Sequence, residues 1–138
     1  MAIFRLTTTS RGIMAAALIA DLDDQASPWY GEIYSGTMPV LITDPISGPV
    51  KLGTVTGGAD PSATQSNGVI TFNTISSDLA ADNTGTATFM RIYKGNGSVW
   101  ADLDLGEAGS GATGIMNSAS VVAGGPINLN SFTIQVGV

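Results

Sequence analysis

Two alternating stretches, Thr86–Tyr93 and Ser98–Leu105, flank the tetrapeptide Lys94-Gly95-Asn96-Gly97. Asn-Gly supplies the positive φ values that primed turns require, so these residues predict a β-hairpin. On its second arm Val99, Ala101, Leu103 and Leu105 point one way, while Trp100, Asp102 and Asp104 point the other. That alternation marks a strand buried on one face.

The rest of the chain is punctuated in the same way. Trp29–Ser35 reads as a strand stopped by Gly36 and Pro39, and Val50–Thr56 as another, broken at Gly57–Gly58 and followed by a polar loop through Ser66. Asn67–Gly68 is a tight-turn pair leading into Val69–Ile75, where Ile70 and Phe72 share a face. Pro39–Gly48 reads as a loop with short extended pieces, and the glycine-rich Gly106–Gly114 as a mobile loop. A last hairpin joins Ile115–Val122 to Ile127–Val136 through Ala123-Gly124-Gly125-Pro126, and the phase change between Leu129 and Phe132 has the signature of a β-bulge.

The N-terminus differs. Residues 1–9 suggest an arm, with 1–8 forming a short strand or an extended segment, and Thr9 or Ser10 can cap a helix over about residues 11–24. Ile13, Met14, Ala17, Leu18 and Leu22 give that helix one apolar stripe, and Ser27–Pro28 ends it. The expected architecture is a single mostly β domain, an antiparallel, jelly-roll-like β-sandwich over about residues 29–138 built from six to eight short strands, with one N-terminal α-helix.

Charged residues make up only 12% of the chain, about half the usual share. Soluble monomers usually carry a heavily charged surface, so part of this one is expected to be buried against other chains. The plain alternative is a monomer solvated by Thr, Ser and Asn. The net charge is −6, and Arg5, Arg11, Lys51, Arg91 and Lys94 form no cluster able to neutralise several phosphates, which argues against direct nucleic-acid binding. The apolar run Ile13–Ala20 is too short to span a bilayer, and Asp21, Asp23 and Asp24 follow it with no convincing cleavage site. A soluble intracellular product that keeps its N-terminus, with no membrane partner, is expected.

The chain has no histidine and no cysteine. Ser-His-Asp and Cys-His nucleophiles and His- or Cys-based zinc sites are thereby removed, along with the side chain most used for proton transfer near neutral pH. Three acidic groupings remain. Asp21, Asp23 and Asp24 close the helix, where a solvated end, a cation or a basic partner would suit them. Asp102, Asp104 and Glu107 superficially resemble a calcium loop, but Gly106 stands where a fifth-position ligand is needed, so a polar sheet face is favoured. Asp78 and Asp82 have the spacing of a helix start and suggest capping. No pair of carboxylates stands out for glycosidic cleavage. No catalytic, cofactor or metal residue is assigned, and an enzyme is not expected.

The aromatics are more suggestive. Trp29, Tyr30 and Tyr34 cluster on the first strand, with Tyr30, Glu32 and Tyr34 on one face. Such a face forms a protein contact, half of a core, or a platform for sugars. Trp100 points away from the apolar row of its strand and is a second contact candidate.

Several segments together resemble a known group. They are Leu6-Thr7-Thr8-Thr9-Ser10-Arg11 before the Ala-rich helix, Ile33-Tyr34-Ser35-Gly36-Thr37-Met38-Pro39, Ser66-Asn67-Gly68-Val69, Ala80-Ala81-Asp82-Asn83-Thr84-Gly85-Thr86-Ala87 and Val122-Ala123-Gly124-Gly125. The chain resembles small virion structural proteins of tailed bacteriophages, most of all the capsid cement, or decoration, proteins of the Bordetella-phage type. The resemblance implies a jelly-roll protein, made in the bacterial host cytoplasm, that docks on the outside of the capsid. There it would bridge major capsid protein subunits, often as a homodimer, against the pressure of packaged DNA. It carries over no site residue and no cofactor. A tail or head–tail connector component and a virion-surface carbohydrate-binding module are the other roles in view.

Overall fold

A computed structural model describes residues 3–72 and 74–137. The chain is mostly β with one N-terminal helix, α1 (Thr8–Leu22). Thr7 is the N-cap, its hydroxyl accepting the Ser10 amide at 3.1 Å, so the cap lies before the Thr9 or Ser10 expected from sequence. Asp23 closes it, its amide donating to the Ile19 carbonyl.

The helix turns a different face inward than its bulky residues suggest. Gly12, Ala15 and Leu22 are buried and Ile19 is half-buried, whereas Ile13, Met14 and Leu18 of the expected stripe are 67%, 43% and 37% exposed. Small residues win because α1 lies close against the sheet, with Gly12 beside the Gln65 side chain.

Nine strands form the main sheet: β1 (Tyr30–Ser35), β2 (Val50–Gly57), β3 (Ala63–Ser66), β4 (Val69–Phe72), β5 (Ile75–Ser76), β7 (Phe89–Tyr93), β8 (Val99–Glu107), β9 (Gly114–Met116) and β11 (Leu129–Gln135). Their order is β3-β4-β11-β9-β8-β7-β1-β2-β5. The short β6 (Gly85–Thr86) and β10 (Ser120–Val121) pair separately. Every main-sheet pairing is antiparallel except β8 with β9. The expected antiparallel sandwich is therefore corrected. The sheet is mixed and curls strongly into a half-barrel, not clearly a sandwich or a jelly roll.

The curl places the core on its concave side. Trp29, just before β1, meets Phe72 of β4 and Phe132 of β11 edge-on at 5.6 and 6.0 Å, joining segments from opposite halves of the sheet. Phe72 and Phe132 stack at 3.9 Å, and Ile33, Leu52, Met90 and Ile92 extend the cluster. Gly57 abuts the Trp29 indole, and any side chain there would overlap the ring.

Several local expectations hold. Asn67 (φ 52°) and Gly68 (φ 87°) form the two-residue turn between β3 and β4, as a type I′ hairpin requires. The pairing of β11 with β9 slips between Leu129 and Ser131, where the sequence changes phase. The hairpin of β7 and β8 forms, but its turn is not primed. Only Gly97 has a positive φ (88°) in this turn, and its amide donates to the Lys94 carbonyl at 2.9 Å. This is a type I turn relieved by a left-handed glycine.

Other expectations change. Ala63–Ser66 is an edge strand and not a loop, with only Ala63 buried. Gly106–Gly114 contributes to β8 and β9, which run parallel, and the connection is held by the Asp104 carboxylate on the Thr113 amide at 2.9 Å. The expected last hairpin is split, since Ser120–Val121 pairs with Gly85–Thr86. No helix follows Asp78. Its carboxylate instead accepts the Thr54 and Ala80 amides at 2.9 and 3.0 Å, tying residues 77–83 alongside β2, next to its short pairing with β5.

Candidate contact surfaces

The four aromatics singled out in sequence fall in three environments. Trp29 is 1% exposed and belongs to the core. Trp100 is half-buried and packs edge-on against Phe72 at 6.3 Å. A register slip between Ile92 and Tyr93 pairs Tyr93 with Val99, so the simple alternation fails there and Trp100 turns toward the core. Tyr30 and Tyr34 do share a face, as expected, on the convex side of the sheet.

On that convex side Tyr30 stacks on Tyr93 at 5.1 Å and Tyr34 on Phe89 at 5.2 Å, following the β1–β7 register. Tyr34 and Phe89 are buried, while Tyr30 and Tyr93 are half-buried. Glu32 lies between them in sequence and pairs with Lys51 at 2.7 Å, which raises the Lys51 pKa. Burial, and then the Glu32 charge, push the Tyr93 phenol up to about 12. Burial and Glu32 raise Tyr34 likewise. The raised values keep both phenols uncharged beyond the pH at which a free tyrosine ionises, which suits their stacking.

Arg91 organises this side. Its Nε and Nη2 donate to the two Asp102 carboxylate oxygens at 2.7 and 2.8 Å, and Nη1 donates to the Asp44 carbonyl at 2.9 Å. The Arg91 and Asp102 side chains are only 4% and 9% exposed. A bidentate fork of this kind fixes direction as well as charge. Its third bond anchors the long excursion of residues 36–49 between β1 and β2. Within that loop the Asp44 carboxylate accepts the Leu41 amide at 3.1 Å, and the Asp44 amide donates to the Leu41 carbonyl at 3.0 Å.

The anchored loop presents apolar side chains to solvent. Val40 is 93% exposed, Leu41 59% and Ile42 44%, and Val50 and Val99 stand exposed at its flank. Between the loop and β8 lies an open hollow of about 470 Å³, lined by Ile42, Thr43, Asp44, Pro45, Arg91 and Val99. Adjacent exposed apolar groups of this kind mark interaction sites on soluble proteins. Ile13, Met14 and Leu18 on α1 make a second such surface, with Ile3 and Phe4 protruding before it. Sequence reading treated Pro39–Gly48 only as a loop, although the uninterrupted Val40-Leu41-Ile42 was a visible signal.

The acidic groups weighed in sequence make structural bonds. Lys94 binds Asp21 at 3.0 Å and Asp24 at 3.4 Å, so the helix end is answered by a base from this chain. Asp23 accepts the Ser62 amide at 2.8 Å, and Glu107 accepts the Ala119 amide at 2.9 Å. Among the described residues no group of three or more acidic side chains is placed to hold a metal ion. No described helix is long and apolar enough to cross a membrane.

The described surface thus carries exposed apolar groups on the loop of residues 36–49 and on α1. No family model matches the chain, and neither a curated protein nor a solved structure matches it.

Proposed function

We propose that this chain is a cement, or decoration, protein of a tailed bacteriophage. In this role it binds the outside of the capsid and bridges major capsid protein subunits, with copies pairing as homodimers. It is made in the host cytoplasm and works on the virion exterior. The observation that carries the reading is the loop of residues 36–49. A buried ion pair holds three exposed apolar residues on a stiff sheet, in a chain with few charges to keep neighbours apart. Contacts of standard size bury about 1,600 Å² in total, and a symmetric shell repeats each contact many times.

The role asks for a rigid β scaffold with projecting loops and does not depend on the sheet being a jelly roll. A sugar-binding module is less well supported, because Trp29 is in the core and Trp100 packs on Phe72, leaving only Tyr30 of the four aromatics on an open face. The test is to purify the particles of the encoding phage, quantify this polypeptide and locate it by cryo-electron microscopy. Stoichiometric density on the capsid exterior supports the reading. Density confined to the tail or connector refutes it in favour of the rival structural role.

A further inference from the structure

Helix α1 is apolar on both of its sides. From Gly12 to Ala20 it has no polar side chain. Gly12 and Ala15 of that run are buried where α1 packs on β3 and β4. On the opposite side Ile13, Met14, Ala17 and Leu18 are exposed, and Ile3 and Phe4 protrude before them at 69% and 81% exposure. A helix that is apolar all round belongs in an interior, yet among the described residues nothing covers this outer side. Beside Ile13 lies an open hollow of about 320 Å³, lined by Gly12 and Ala16 of α1 and by Gln65 and Asn67 of the β3–β4 hairpin. The surface thus has both ridges and a recess.

Charge identifies what fits it. Residues 3–20 contain Arg5 and Arg11 and no acid, whereas the rest of the chain holds three bases and all 11 acids. Those three bases are answered within the chain, Lys51 by Glu32, Arg91 by Asp102 and Lys94 by Asp21 and Asp24. The apolar face of α1 is therefore set in the one electropositive stretch of an acidic chain, and Arg5 is exposed at its border. We propose that this face and residues 3–5 dock on a protein surface of the capsid shell whose apolar recess is bordered by carboxylates, as a contact separate from the 36–49 loop. A bilayer fits less well. Lipid recognition through basic residues uses clusters of about 4–8, and an extended anionic plane would also face the acidic remainder of the chain. A discrete acidic border meets the two arginines alone. Bridging needs two contacts on one chain, and the sheet order supplies them: α1 packs on the β3–β4 end, while the 36–49 loop joins β1 to β2 near the other.

This inference rests on the capsid reading above. The test titrates the purified full chain onto particles of the encoding phage assembled without it, and measures what pellets. Wild type is expected to saturate the particles and to bind more weakly as NaCl rises. Ile13→Asp is expected to lose about tenfold or more in affinity, the scale of a central interface residue. Its melting temperature should be unchanged, because Ile13 is exposed. Arg5→Glu is expected to bind several-fold more weakly at low salt and to flatten the salt dependence, as reversing a border charge does. Leu79→Asp, whose leucine is exposed on the 77–83 loop, is expected to bind as wild type does. A wild-type chain that fails to bind the particles refutes the capsid reading and this docking with it. Wild-type binding that is indifferent to Ile13→Asp, or to Arg5→Glu and salt together, refutes the docking and leaves the capsid reading standing. A chain that sediments with phosphatidylglycerol vesicles through Ile13, or that pairs with a second copy through it, overturns the proposal in favour of that occupant.

Discussion

Replacing Asp102 by alanine tests how the contact loop is supported. Arg91 and Asp102 are 4% and 9% exposed, and the substitution leaves the guanidinium with the Asp44 carbonyl as its remaining partner. Removing one member of a buried pair costs about 3–5 kcal/mol, because the other charge stays desolvated. A chain of this length has a total stability on the order of 7–20 kcal/mol, so Asp102→Ala is expected to fold with a much reduced margin. Urea unfolding followed by tryptophan fluorescence, with Trp29 in the core as reporter, should show the midpoint fall with an unchanged slope. The melting temperature should drop by about 10–20 °C. The double substitution Arg91→Met with Asp102→Leu separates charge from packing. Apolar replacement of both partners is close to neutral for stability, so most of the loss should return. The loop, however, stays unanchored, and hydrogen exchange at the Leu41 and Asp44 amides should be faster than in wild type. A single variant within 1 kcal/mol of wild type refutes the reasoning. A double variant as unstable as the single refutes it equally.

Three further outcomes follow from the packing and the ionisations. Gly57→Ala forces a methyl group into the Trp29 indole and should cost about 1–3 kcal/mol, read by thermal melting. On α1, Ala15→Leu should cost a similar amount while Ile13→Ser stays within about 0.5 kcal/mol of wild type. The reverse ranking would mean that the exposed stripe is the packed one. The Tyr93 pKa is raised from 10.0 to about 12 in the folded chain. Its contribution is therefore present in full below pH 10 and lost as pH rises toward 12. Absorbance at 295 nm should show delayed phenol ionisation, and Tyr93→Phe should remove part of the alkaline loss of stability. An unchanged profile in that variant would refute the assignment.

What was legible in the sequence was local. Asn67–Gly68 announced its own turn because left-handed backbone is a property of those two residues. The bulge near Leu129 was visible because a strand with one buried face must keep phase, and a slip in the pattern has to be absorbed somewhere. The helix was legible in place but not in orientation. Ile13 and Leu18 outweigh Gly12 and Ala15 in hydrophobicity, yet a close approach to the sheet selects small residues. The strand Ala63–Ser66 left no pattern, since three of its four residues face solvent. The parallel pairing of β8 with β9 and the inward turn of Trp100 depend on long-range register, which no short window encodes. The contact loop was missed for the same reason. What makes Val40-Leu41-Ile42 a fixed feature is Arg91 and Asp102, paired on neighbouring strands and distant from the loop in sequence.

The edges of the sheet indicate how such a chain meets its neighbours. An open sheet with little surface charge invites strand-to-strand aggregation through unpaired backbone groups. Here the terminal strand β5 is only two residues long, and the rest of β2 on that side is covered by residues 77–83, with the Asp78 carboxylate on the Thr54 amide, the Asp82 amide on the Leu52 carbonyl and the Asn83 side chain on the Lys51 carbonyl. At the other end β3 is only four residues long, and α1 lies beside it with Gly12 against Gln65. Backbone addition is blunted at both ends, so association is left to side chains. Groups of exposed apolar side chains lie on the loop anchored by Arg91 and on the outer face of α1, while Leu79 and Val122 stand exposed singly. Contacts made there have a fixed geometry and a finite size, and an assembly with defined symmetry can be built from them where an open-ended stack of strands cannot.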